Sequence, residues 1–257
     1  MTQNPAYRTA LVTGAAHRIG RAIALDLAAR GWTLAVHYGT SEDAARALVE
    51  TIEAQGGRAG AFKADLAVEK DVTALIPAIA RAIGPLSLLV NCASAFEFDS
   101  WDSADRDGWD LHMEVNLRAP FVLTQEFARQ VPERIPANVI NIVDQRVWSL
   151  TPFFTTYTLS KAGLWTLTQT LALALAPKVR VNAIGPGPVL RNARQSEEDF
   201  ARQCAETPLG RAVDPEEICD AVRFIVGAPS MTGQMIALDA GQHLAWGAAS
   251  NTVLPQE

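Results

Sequence analysis

In the run INIVDQRVWSLTPFFTTYTLSKAG, Asp144 stands thirteen residues before Tyr157, and Tyr157 stands four before Lys161. Four residues make one helical turn, so on a helix the phenol and the ammonium share a face and the positive charge favours the ionised phenol. That is an acid/base device. Bringing a phenol from about 10 to near 7 takes roughly 3 pKa units, or about 4 kcal/mol, within reach of a close ammonium aided by a bound cationic group. Y-x-x-x-K by itself also occurs on solvated helices, so the reading depends on the elements around it.

The composition favours small-molecule chemistry. The chain has 257 residues, 49% hydrophobic and 19% charged, which fits one α/β domain with a large core. A net charge of -6 and a pI near 5.3 give no basic footprint for nucleic acid or an anionic membrane. Cys92, Cys204 and Cys219 form no C-x-x-C pair, so neither a metal site nor a disulfide framework is expected, and a reducing cytoplasm fits. The first residues, MTQNPAYRTA, lack a charged segment leading into an apolar run, so no secretory leader is expected. The most apolar helical stretch, LWTLTQTLALALAP, is interrupted by Gln169 and threonines and reads as a core helix.

Short apolar strands alternate with helical patterns along the chain, which implies a seven-stranded parallel sheet, doubly wound, with helices on both faces. Strands are expected at 9–13, 33–38, 59–63, 86–90, 139–143, 179–184 and 235–238. Gly31 ends a first helix over 19–30, and Gly56-Gly57 ends a second, which Ser41 caps and Glu42 and Asp43 favour electrostatically. Pro77 makes the third helix irregular, one long helix spans 107–129, and Asp214-Pro215-Glu216-Glu217 opens the last. No repeat or domain linker interrupts 1–257.

In TALVTGAAHRIGRAIA, Gly14 and Gly20 fall at the first strand-to-helix turn, where close backbone approach and a helix N-terminus suit a pyrophosphate. With this turn the chain resembles the short-chain dehydrogenase/reductase family from Thr9 to about Gly241. The resemblance rests on TGAAHRIG, Asp65-Leu66, NCAS at 91–94, Asn116 in HMEVNLRAP, YTLSK, RVNAIGPGPV and LDAG. It implies a single Rossmann-type domain, a homotetramer built on the helices at 107–129 and 158–175, and a substrate lid at about 185–210. It further implies a catalytic set of Asp144, Tyr157, Lys161 and Asn116. The dinucleotide would lie against Gly14, His17, Arg18, Ile19 and Gly20, then Tyr38, Thr40 and Ser41, then Asp65 and Leu66. Asn91, Ala93 and Ser94, Tyr157 and Lys161, and Pro186, Gly187 and Val189 complete its site.

Departures from the family pattern narrow the reading. Arg18 stands where the family has its middle glycine, and HYGTS after the second strand holds no acid for a ribose hydroxyl. Arg18 with Thr40 and Ser41 is therefore expected to bind a 2'-phosphate, which selects NADPH; a solvated surface arginine is the alternative. Asp144 stands where the family has a serine that donates to a carbonyl oxygen. An ionised carboxylate repels that oxygen and suits a substrate with N–H donors instead.

Asp144, Arg18 and Phe96 together resemble the pteridine reductase and dihydromonapterin reductase subgroup. That resemblance implies that Phe96 stacks on a pterin, Ser94 hydrogen-bonds it, and Tyr157 protonates a ring nitrogen after hydride delivery, with Asn116 holding a water that links Lys161 to solvent. Thr40 and Ala95 depart from the subgroup's basic residue and serine. The other readings are a carbonyl reductase of the same family, acting on an oxoacyl thioester or a sugar, and a non-catalytic nucleotide sensor. Trp101, Trp109, Trp148 and Trp165 read as packing, with Trp148, near the active-site loop, the exception worth testing. Arg146, Arg191 and Arg194 read as solvated surface, or as anchors for a glutamate tail.

Overall fold

The computed structural model describes residues 8–244 apart from 134 and 193. Residues 1–7, on which the absence of a leader was read, lie outside the described residues.

Seven strands, β1 (Thr9–Val12), β2 (Thr33–Tyr38), β3 (Arg58–Lys63), β4 (Leu88–Asn91), β5 (Ala137–Ile142), β6 (Val179–Pro186) and β7 (Met235–Leu238), form one sheet in the order β3-β2-β1-β4-β5-β6-β7. Every neighbouring pair is parallel. Alternation along the strands divides the core between two faces. Ala10, Val12, Leu34, Val36, Leu88 and Val90 pack against helices α1 (Arg18–Ala29), α2 (Glu42–Ala54) and α8 (Pro215–Gly227). Leu11, Ala35 and Leu89 face α3 (Glu69–Ile83), α5 (Ala119–Gln130) and α6 (Thr155–Leu175). The expected doubly wound fold is the observed one. Among the described residues no helix is long and apolar enough to cross a membrane.

Several expected boundaries move for identifiable reasons. β4 starts at Leu88 rather than at 86, because Gln130 at the end of α5 takes both the Leu86 amide and the Leu86 carbonyl. The expected helix over 107–129 is broken: α4 (Arg106–Met113) passes into a π turn, Glu114–Arg118, before α5. Pro120 has no amide to donate to the Asn116 carbonyl, so the ladder slips and the Ala119 amide bonds to Glu114 instead. Pro77, expected to disturb α3, does not interrupt it, since Val72, Leu75, Ile76 and Ile79 hold that helix to the sheet. Ser41 occupies the cap position of α2 without a capping hydrogen bond, whereas Asp214 and Glu217 form the expected capping box of α8. The polar segment at 185–210 contains an unexpected helix, α7 (Glu197–Ala205), capped by the Ser196 hydroxyl. Trp101, Trp109 and Trp148 are exposed, contrary to a packing role; Trp165 is half-buried.

Candidate active site

The C-terminal ends of β1 and β4 diverge at the switch point of the sheet, and a cleft of about 650 Å³ opens there. Its first wall is the turn between β1 and α1. Thr13 Oγ1 accepts the Cys92 and Ala93 amides at 2.9 and 3.0 Å and ties the two strand ends together. Gly14 has φ +63°, and a Cβ on Gly20 would collide with the Gly14 carbonyl oxygen, so α1 closes on the turn only with glycine there. Arg18 adopts φ +52°, the left-handed conformation that the family's glycine would favour, at a cost of roughly 1–2 kcal/mol.

Beneath this turn lies a residue the sequence reading missed. His37 is buried on β2; its Nδ1 accepts the Gly14 amide at 3.0 Å, its Nε2–H donates to the Ala64 carbonyl at 3.1 Å, and its own carbonyl accepts the Ala15 amide. Burial pushes the imidazole down to about 4, so it is neutral and its tautomer is set by these partners. A histidine inside the otherwise apolar strand TLAVHY was the available signal.

Asp144, Tyr157 and Lys161 come together where β5 ends and α6 begins. Tyr157, Lys161, Leu164, Thr168 and Leu171 fall on one buried face of α6, as the one-turn spacing implies. The Tyr157 hydroxyl donates to Asp144 Oδ2 at 2.8 Å, and Asp144 Oδ1 accepts the Arg146 amide at 2.7 Å. Lys161 donates to the Ile142 carbonyl at 2.9 Å, with Nζ 5.7 Å from the centre of the Tyr157 ring. Burial lowers its ammonium to about 8, partly opposed by Asp144, so it stays charged at neutral pH. Cys92 also lines the cleft, and burial pushes its thiol up to about 11, which leaves a neutral wall rather than a nucleophile.

Asn116 does not line the cleft. From the π turn its carboxamide oxygen accepts the Ala95 amide at 2.8 Å and the Ser94 hydroxyl at 3.1 Å, while its nitrogen donates to the Ala95 carbonyl and to Ser160 Oγ. It fixes the loop after β4 onto α6 and has no bond to Lys161 among the described contacts. That loop forms the second wall. Phe96 stacks on Phe154 at 4.6 Å and meets the edge of Tyr157 at 4.6 Å. Phe154 is fully buried and left-handed (φ +57°), and the first turn of α6 is capped from outside the helix by the Asp99 carboxylate, which accepts the Thr156 amide and hydroxyl. His112 Nδ1–H donates to Thr156 Oγ1 at 2.7 Å and its Nε2 accepts the Glu97 amide at 3.0 Å. Asp99, His112, Phe154 and Thr156 had no spacing signal.

The segment expected to form a lid lines the cleft on its open side. Arg18 donates to the Leu190 and Arg191 carbonyls at 2.7 and 2.6 Å, and Arg194 reaches the opposite wall, donating to the Phe96 carbonyl and, at 2.7 Å, to Glu97. Arg18 thus meets the 185–210 segment, and Thr40 and Ser41, its expected partners, do not line the cleft. Arg146 is not solvated surface: it is 4% exposed, bonded to Thr151 and laid over Phe154. Of the other expected cofactor residues, His17, Ile19, Ala93, Ser94, Pro186, Gly187 and Val189 line the cleft. Tyr38 and Leu66 are buried, Asp65 is exposed, and Asn91 is buried and bonded to Asn141. None of these four lines the cleft.

A family model described as enoyl-(acyl carrier protein) reductase matches residues 14–243. The 3-oxoacyl-(acyl-carrier-protein) reductase FabG of Staphylococcus epidermidis is 32% identical over 242 residues, 92% of this chain and 99% of that protein. The chain is a short-chain dehydrogenase/reductase. Among solved members of that family, the FolM alternative dihydrofolate reductase 1 of Brucella suis, in complex with NADP, superposes with a TM-score of 0.92 at 47% identity, covering 96% of this chain and 99% of that one. The angucycline C-6 ketoreductase LanV with bound NADP superposes with a TM-score of 0.86 at 32% identity, covering 93% and 96%. As a short-chain dehydrogenase/reductase, the chain is an oxidoreductase.

Proposed function

We propose that this short-chain dehydrogenase/reductase is an NADPH-dependent reductase of a C=N bond in a dihydropterin or dihydrofolate-type ring. The observation that carries the reading is the 2.8 Å hydrogen bond from Tyr157 to Asp144, where other family members present a serine hydroxyl. A carboxylate beside a ketone oxygen opposes the negative charge that develops there, whereas beside a ring N–H it accepts a hydrogen bond. The higher identity to the Brucella protein than to FabG or LanV supports the same substrate class.

The turn fits a dinucleotide, since Gly14 and Gly20, neither of which has room for a Cβ, let the backbone turn tightly at the N-terminus of α1, and both line the cleft. The absence of an acid in HYGTS at the end of β2 and the NADP bound in the related structures support NADPH. When bound, the cofactor supplies the hydride. Asp144 orients the Tyr157 hydroxyl and accepts a substrate N–H. Tyr157 delivers its proton to the ring nitrogen, and the charged Lys161 stabilises the phenolate left behind. Asn116 acts through the loop it fixes, as a positioning residue, and Phe96 offers its ring to the substrate.

The likeness to FabG and LanV favours one second reading, reduction of a carbonyl with Asp144 protonated. NADPH oxidation measured side by side with dihydrobiopterin, dihydromonapterin, dihydrofolate and an acetoacetyl thioester separates the two. Turnover of at least one of the first three, with the thioester inert, is the expected result; turnover of the thioester alone contradicts the proposal.

A further inference from the structure

One face of Phe96 is closed by Phe154, which is fully buried and does not line the cleft. The part of the ring that faces the cleft is covered from the lid: the Arg194 guanidinium lies 5.4 Å from the ring centre, and both residues line the cleft. At that separation no flat molecule fits between them, because two stacked layers need roughly 7 Å. The same guanidinium donates to the Phe96 carbonyl at 2.5 Å and to the Glu97 carboxylate at 2.7 Å. Glu97 is held in turn, its amide donating to His112 Nε2.

The place that Arg194 fills therefore has a defined chemistry: an aromatic face bordered by a carbonyl and a carboxylate, all acceptors. A planar group with adjacent N–H donors satisfies all three. Resting on the substrate class proposed above, we propose that Arg194 is a competitive latch that occupies the substrate's own place on Phe96, and that the substrate displaces it with an aminopyrimidine edge of the same shape and donor pattern. This makes Arg194 a specificity-determining residue. A ring with adjacent N–H donors takes over the vacated acceptors, whereas an oxoacyl chain offers Glu97 no donor. The second tether of the lid, Arg18 on the Leu190 and Arg191 carbonyls, is independent of Phe96, so release of Arg194 leaves the lid attached at the cofactor wall.

The test is the binding of pterin to the full-length protein saturated with NADP+, read from quenching of pterin fluorescence, so that no turnover is needed. Arg194→Ala is expected to bind pterin about tenfold more tightly than the wild type, since only an exposed ion pair, one hydrogen bond and a cation–ring contact must otherwise be broken. Arg194→Lys keeps the ion pair but lacks the planar fork and falls between the two. Glu97→Ala added to Arg194→Ala gives back part of the gain. In turnover, Arg194→Ala lowers KM and leaves kcat unchanged, which a merely structural arginine would not do. Unchanged or weaker pterin binding in Arg194→Ala, or no binding by either protein, overturns the latch. Dihydropterin turnover by the wild type tests the substrate class separately: tighter binding without turnover keeps the latch and removes the reductase assignment, and turnover with unaltered binding does the reverse.

Discussion

The wall of the cleft from Thr13 to Gly20 takes its shape from backbone. Two glycines, a strand end and one buried neutral histidine hold it, and its bonds run to the adjacent strands β2 and β4. The facing wall, from Ser94 to Asp99, is shaped by side chains on α4, the π turn and α6, which meet in the bonds of Asn116, His112, Thr156 and Asp99. The difference assigns them different duties. A wall of fixed amides suits a ligand common to a whole family, while a wall of exchangeable side chains can be re-cut for each substrate.

Lesions in the two walls should therefore separate cofactor from substrate. The largest effect belongs to the residue between them. Tyr157→Phe is expected to reduce kcat by about 10²-fold or more, with NADPH affinity in a titration little changed. Undiminished turnover would remove the proton donor from the account.

The next effect belongs to the backbone wall. Because the His37 value is depressed from 6.5 to about 4, its stabilising contribution is complete above pH 6.5 and is lost as pH falls toward 4, where the buried ring must protonate. The loss amounts to about 3 kcal/mol. Urea denaturation from pH 7.5 to pH 4 should show it in the wild type. His37→Asn, which keeps an acceptor for the Gly14 amide but does not titrate, should flatten that part of the profile. Identical profiles would mean that the histidine does not hold the turn.

A smaller effect is expected in the side-chain wall. Asp99→Ala leaves the buried Thr156 amide and hydroxyl without their acceptor, a cost of about 2 kcal/mol in stability. It should raise KM for the substrate and leave NADPH affinity alone. A loss of NADPH affinity equal to the loss of substrate affinity would erase the distinction between the walls.

The same contrast explains what was legible in the chain. The strand pattern, Gly14 and Gly20, and the spacing of Asp144, Tyr157 and Lys161 are signals of one or a few turns, and the fold obeys them. Asp99 capping a helix whose first turn lies 57 residues away, His112 bridging Glu97 and Thr156, and a left-handed Phe154 depend on tertiary placement that no local period records. Arg18 was legible as an unusual residue in the turn. Its engagement with the Leu190 and Arg191 carbonyls, 172 and 173 residues away, was not.

The central claim is that Asp144 turns a carbonyl-reducing site into one for a ring with N–H donors. Replacing Asp144 with serine and measuring NADPH oxidation with a dihydropterin and with an acetoacetyl thioester tests it most directly. Loss of dihydropterin turnover with gain of thioester turnover is the predicted result; dihydropterin turnover equal to that of the wild type would contradict it.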